Sequence, residues 1–226
     1  MRLKTIPAAA LALALLAGCV SRTERFTVSG NLADSLAAAP GSKVYLLGPG
    51  GWDEVLDSAS VKAGKFTLRG EIDPTTSLTA VLYFPGRDAL DGRYRVRFIP
   101  DTESINIDLD YPETVTGSPL TDALGKLQEG ILELYRERES EIGELSASGL
   151  QEQADSVFHI QMGRINDLCR ETYLAHTGDL VGLQALCILA RSLSGPELQE
   201  LVSQGSPFIA EDPVIRDSLD SKLSDR

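Results

Sequence analysis

The chain has 226 residues, 42% hydrophobic and 24% charged, a balance that excludes collagen-like, disordered and multi-span membrane classes. Lys and Arg number 21 against 33 Asp and Glu, giving a net charge of −12, so sequence-independent nucleic-acid binding, which needs a basic footprint, is excluded as well. Three Cys and two His are too few for a Cys/His-rich zinc module, and no metal or other cofactor is expected.

Arg2 and Lys4 precede an almost wholly apolar run from Ile6 to Ala17. The run is shorter than the roughly 20 residues a spanning helix needs. A basic start before a short apolar stretch is the secretory pattern. It closes on Leu16-Ala17-Gly18-Cys19, which resembles the bacterial lipoprotein box. The resemblance implies a signal peptide over residues 1–18 and a lipidated Cys19 as first mature residue, with a tether over 19–24. The other reading is a non-lipidated signal peptide with a chance Cys. Several acyl chains would hold the protein on a membrane without spanning it. No later apolar run is long enough to cross: Val181–Ala190 has ten residues and contains Gln184.

Val20 follows the Cys, so the Asp that retains some lipoproteins at the inner membrane is absent. Residues 20–25 also lack the acidic run that exports others to the cell surface. Carried over from lipoproteins, these rules imply the periplasmic face of the outer membrane. Loss of residues 1–18 removes Arg2 and Lys4 and no acid, leaving 208 residues with a charge of −14. That charge resists anionic headgroups, so attachment must come from lipid.

Residues 25–117 read as β. Phe26, Val28, Gly30 and Leu32 share one face, as do Val44 and Leu46, and then Phe66, Leu68, Gly70 and Ile72. Leu78–Phe84 is nearly continuous apolar sequence, the pattern of a central strand covered on both faces. Tyr94, Val96 and Phe98 alternate with Arg93, Arg95 and Arg97; Ile105, Ile107 and Leu109 alternate with polar residues. Turn residues punctuate the runs, for example Pro40-Gly41, Gly48-Pro49-Gly50-Gly51 and Ala63-Gly64. About seven strands in an antiparallel meander or sandwich are predicted.

Residues 118–226 read as helix. Ser118-Pro119 supplies an N-cap and a Pro at the first helical position, ahead of Leu120, Leu124, Leu127, Ile131 and Leu134 at spacings of three and four. A second stripe is Phe158, Met162, Ile165, Cys169 and Tyr173. A third helix is predicted near Leu180–Ala190. Ser194-Gly-Pro-Glu197 is a capping box that opens a fourth, and Asp212-Pro213 opens a short last one. The expected fold class is α+β: an antiparallel β sandwich or meander, then an all-helical module. Residues 20–117 carry −4 and residues 118–226 carry −10, so the polar helix faces are acidic.

Phe26-Thr-Val-Ser-Gly30, Lys43-Val-Tyr-Leu46, Leu56-Asp-Ser-Ala59, Gly64-Lys-Phe-Thr-Leu68 with Gly70, and Val115-Thr-Gly-Ser118 follow one another in order. In this order and spacing the stretch resembles the domain-of-unknown-function family 4369. That module typically precedes a thioredoxin-like domain, of the thiol-disulfide oxidoreductase type, in Gram-negative envelope lipoproteins. Those relatives usually continue into a redox domain with Cys-x-x-Cys. This sequence ends at Arg226 and its three Cys include no such pair, so disulfide exchange is not carried over. Asp57-Ser58 sits where polar side chains bond neighbouring backbone. Gly64 suits a hairpin turn of positive φ, and Gly30 and Gly70 read as bulges or close approaches.

Cys169 and Cys187 each lie nine residues from Gly178, the centre of a predicted helix–turn–helix. Equal offsets place them at one level, so a structural bridge and a pair of buried free thiols are both open readings. His159 and His176 are 17 residues apart, too far along one helix to share a metal. Trp52, the sole Trp, lies beside Gly50-Gly51 in a predicted loop, where it contacts a partner or folds over a strand. Arg93, Arg95 and Arg97, with Arg87 in the loop before them, make a basic stripe. The stripe would meet an anionic partner or pair across strands with Asp108 or Asp110. The sequence thus leads to a non-enzymatic envelope lipoprotein that binds a partner or serves as an accessory module. Two alternatives stand beside it: assistance to a separate thioredoxin-fold protein, and capture of a peptide or glycan.

Overall fold

The computed structural model describes residues 24–32, 41–83, 94–110 and 112–224. In chain order the strands are β1 (Arg25–Asn31), β2 (Lys43–Leu47), β3 (Val55–Ser60), β4 (Lys65–Glu71), β5 (Leu78–Tyr83), β6 (Arg95–Phe98), β7 (Ser104–Asp108) and β8 (Thr114–Thr116). They form two four-stranded sheets, ordered β4-β1-β7-β8 and β3-β2-β5-β6. The fold is α+β, with one strand more than the sequence predicts. One pairing departs from the antiparallel expectation: β1 and β7 run parallel, Val28 opposite Ile105.

Alternation with period two fills the space between the sheets. Phe26, Val28, Leu68, Ile105 and Ile107 point inward from the first sheet. Val44, Leu46, Leu78, Ala80, Leu82 and Phe98 meet them from the second. Phe26 packs edge-on to Phe98 with ring centroids 5.9 Å apart. β5 lies inside its sheet and is buried over five of its six residues, which explains its unbroken apolar run.

Gly64 takes the positive φ, +73°, that the hairpin turn requires. Gly30 and Gly70 are not bulges. The β1–β4 register is unbroken from Arg25↔Glu71 to Asn31↔Lys65, and the two glycines stand opposite Phe66 and Phe26. The register shift falls instead on β2 and β3. There Leu46 pairs with Asp57 and Leu47 with Val55, leaving Leu56 over.

The helices are α1 (Pro119–Ala147), α2 (Gln151–Ala175), α3 (Leu180–Leu189), α4 (Gly195–Gln204), α5 (Pro207–Ala210) and α6 (Pro213–Ser224). Ser118 caps α1, accepting from the Thr121 N–H at 3.2 Å. Ser194 and Glu197 form the capping box of α4. Asp212 accepts from the N–H groups of Val214 and Ile215 at the start of α6. α5 is a single turn that the periodicity does not reveal. Ile165, Cys169 and Tyr173 of α2 are fully buried with Leu186, Leu189, Leu198 and Ile209. Phe158 belongs to the same stripe but is 42% exposed, with Arg138 of α1 stacked over its ring at 5.4 Å to the centroid.

The helices join one end of the sandwich. The Ser118 hydroxyl donates to the Ile99 carbonyl at 2.8 Å, and the Ile99 N–H donates to Thr121 Oγ1 at 2.8 Å. Asp101 accepts from the Leu120 N–H at 2.7 Å, and the Leu180 N–H donates to the Pro74 carbonyl at 3.0 Å. No helix among the described residues is long and apolar enough to cross a membrane.

Candidate functional site: an aromatic and basic sheet face

The same alternation that buries Val44 and Leu46 turns their neighbours to the outer face of the second sheet. The register aligns that face in rows. Ser58, Tyr45, Val81 and Arg95 form one; Ser60, Lys43 and Tyr83 form the next; Val55, Leu47, Thr79 and Arg97 form the third. Every charged side chain in these rows is a cation.

Trp52 sits in a single 3-10 turn, Gly51–Asp53, between β2 and β3. Its ring meets Tyr45 edge-on at 5.3 Å between centroids, and Tyr45 meets Tyr83 at 6.0 Å. Trp52 therefore folds over β2, as one of its two readings has it, and remains 51% exposed. The Glu54 carboxylate steadies the loop by accepting from the Gly50 N–H at 2.8 Å. The three rings carry apolar surface with polar tips, and Val81, the cross-strand neighbour of Tyr45, is buried.

Arg95 and Arg97 are exposed on the edge strand β6. The sequence offered Asp108 or Asp110 as cross-strand partners of the stripe, and for Arg95 and Arg97 the structure excludes Asp108. Among the described residues β6 pairs only with β5, whereas Asp108 lies on β7 in the other sheet. Asp108 instead accepts from the Asp110 N–H at 2.9 Å. Among the described residues Arg95 and Arg97 make no ion pair. Arg97 also borders a cavity of about 360 Å³ between the sandwich and helices α1 and α3, lined in part by Thr121, Gln128 and Gln184. Arg87, Arg93 and Cys19 lie outside the described residues.

Residues 26–124 match a family model described as a domain of unknown function, DUF4369. The matched span runs from Phe26 in β1 through β8 and, beyond Gly117, takes in the first residues of α1. Those helical residues carry the bonds of Leu120 and Thr121 to Asp101 and Ile99. Comparison with curated proteins and with solved structures finds no match to the chain.

Cys169 and Cys187 lie beyond the DUF4369 span, on α2 and α3, and both are free thiols. Burial pushes each thiol up to about 11; Asp212 raises Cys187 further and Arg191 opposes it. Neither is a nucleophile at neutral pH. His159 lies edge-on to Phe158, and His176 ends α2 with Nδ1 2.9 Å from Asp179 Oδ2. No group of three metal-ligating side chains occurs among the described residues.

Tyr45, Tyr83 and Lys43 complete the face and were not singled out from the sequence. The signal was present in the alternation of Lys43-Val44-Tyr45-Leu46: two buried residues imply that their neighbours face outward.

Proposed function

We propose that this protein is a bacterial envelope lipoprotein, held at the periplasmic side of the outer membrane by acyl chains on Cys19, and that it is a non-catalytic binding or accessory module. Its recognition surface is the outer face of the second sheet. The observation that carries this reading is the convergence of Trp52, Tyr45 and Tyr83 with Lys43, Arg95 and Arg97 on one half-open face. Trp, Tyr and Arg are the residues that dominate binding energy at protein interfaces. The cations select an acidic segment of the partner and speed its approach. The family resemblance adds a partner class, a separate thioredoxin-fold protein of the same envelope.

The test is crosslinking of the full lipidated protein in its native envelope, followed by identification of what is attached. The reading expects a discrete partner that is lost when Trp52→Ala is combined with Arg95→Glu and Arg97→Glu. It expects purified partner to bind more weakly as salt rises. Unchanged partner recovery from a folded triple variant excludes this face as the recognition surface.

A further inference from the structure

Resting on the lipoprotein reading above, we propose that one corner of the sandwich, formed by Pro49, Val55 and Leu56, seats on a zwitterionic lipid surface and so fixes how the protein stands on its membrane. Three observations meet at this corner.

The first is where the tether enters. Residues 20–24 join Cys19 to Arg25, the first residue of β1. A chain of six residue steps reaches at most about 20 Å. Arg25 pairs with Glu71, and the Glu24 carbonyl accepts from the Ile72 N–H at 2.9 Å. Glu71 and Ile72 line a groove of about 520 Å³ together with Pro49, Glu54 and Leu56. The tether therefore enters the sandwich at the end that carries the corner.

The second is what the corner exposes. Val55 and Leu56 are adjacent on edge strand β3, and they are 47% and 49% exposed. The bulge at Leu46/Leu47 leaves Leu56 without a cross-strand partner. Bulges re-aim side chains at sheet edges, and bare aliphatic residues on an edge strand invite aggregation unless something covers them. The helices attach elsewhere at this end, through Ile99, Asp101 and Pro74, and leave the corner open.

The third is charge. Glu54, Glu71 and Asp73 border the groove against Arg69 alone, so anionic headgroups are repelled and zwitterionic ones accepted. Among the described residues, the opposite end of β3 and β4, the turn holding Lys62 and Gly64, carries no exposed aliphatic pair.

The test uses the full lipidated chain in phosphatidylethanolamine–phosphatidylcholine vesicles with brominated acyl chains, which quench nearby indoles. Trp52→Phe removes the native indole. Leu56→Trp, or independently Val55→Trp, places a reporter at the corner, and Lys62→Trp places one at the far turn. The corner reporters are expected to lose roughly half their emission, a depth consistent with interfacial seating, while the Lys62→Trp reporter is unchanged. Anionic lipid is expected to reduce the corner quenching. Unquenched corner reporters in protein that still sediments with vesicles overturn the seating. The same conclusion follows if a corner reporter is shielded from an aqueous quencher but not reached by bromine, because then the chain or a second copy covers it. Loss of sedimentation in the Cys19→Ser control, but not in the parent, supports the anchor. A parent chain that does not sediment overturns the lipoprotein reading itself.

Discussion

The phenyl ring of Phe66 fills the space that a side chain on Gly30 would need. A methyl built at Gly30 falls 1.8 Å from the ring, and one at Gly70 falls 2.5 Å from the ring of Phe26. The two pairs are direct cross-strand neighbours of β1 and β4, reversed with respect to each other. Each glycine thus lets an aromatic ring lie flat across the sheet and close the core from one side. Gly30→Ala is expected to cost about 1–3 kcal/mol through overpacking. Phe66→Ala is expected to cost about 3–5 kcal/mol. The double variant should cost less than the sum, because the smaller residue at 66 makes room for the new methyl. Urea denaturation of the four proteins measures this coupling; strictly additive losses would sink the idea.

Tyr173 is fully buried on α2, and its hydroxyl donates to the Leu201 carbonyl at 2.7 Å, tying α2 to α4. Tyr173→Phe keeps the ring and removes the bond. The expected loss is about 1–2 kcal/mol, with a carbonyl left short of a donor. Gly205→Ala should strain the same joint, since its methyl would fall 2.7 Å from the Tyr173 oxygen. Thermal unfolding of both variants checks the pair.

Local signals were readable and long-range ones were not. The caps at Ser118, Ser194 and Asp212 depend on contacts within three residues, and all three form as predicted. Alternation also placed Arg95 and Arg97 opposite Val96 and Phe98 in direction. It could not say which strand lies beside β6. The link Ile99–Glu103 is short, yet it carries the chain from one sheet to the other, and this separates Arg95 from Asp108. The parallel β1–β7 pairing escaped for the same reason. Phe158 has the right spacing for a core residue, but spacing does not reveal how far a neighbouring helix extends: α2 has 25 residues and α3 has 10. The binding face depends on two registers, β2 with β5 and β5 with β6. Only the sheet order brings Trp52 and Arg95 to one surface.

The two thiols give a pH signature. Burial raises Cys169 and Cys187 from 9.0 to about 11, so the folded state keeps protons that the unfolded state releases. Their contribution to stability is fully present below pH 9 and is lost as pH rises through about 11. Burial raises the Tyr173 hydroxyl too, which acts in the same direction. Urea midpoints should fall over this window, and Cys169→Ala with Cys187→Ala should flatten the fall. Below it, iodoacetamide should label both thiols far more slowly in the folded than in the unfolded protein. Fast labelling of the native protein at neutral pH would contradict their assignment as inert.

Asp57 joins the two sheets at their open edges. One carboxylate oxygen accepts from the Arg69 N–H of β4 at 2.8 Å, and the other accepts from the Ser58 N–H at 2.7 Å. β3 and β4 are both edge strands, so the Arg69 N–H would otherwise be free to pair with another chain. Asp57→Ala removes both acceptors and is expected to cost about 1–2 kcal/mol, the lower range because the site is only partly buried. Asp57→Asn retains one carbonyl oxygen and should recover much of the loss. A second readout separates edge protection from simple stability. At equal fraction folded, Asp57→Ala should self-associate at lower concentration than Tyr173→Phe, which weakens the helices and leaves the edges closed. Light scattering of the two variants decides it: matching onset would mean that Asp57 contributes stability alone.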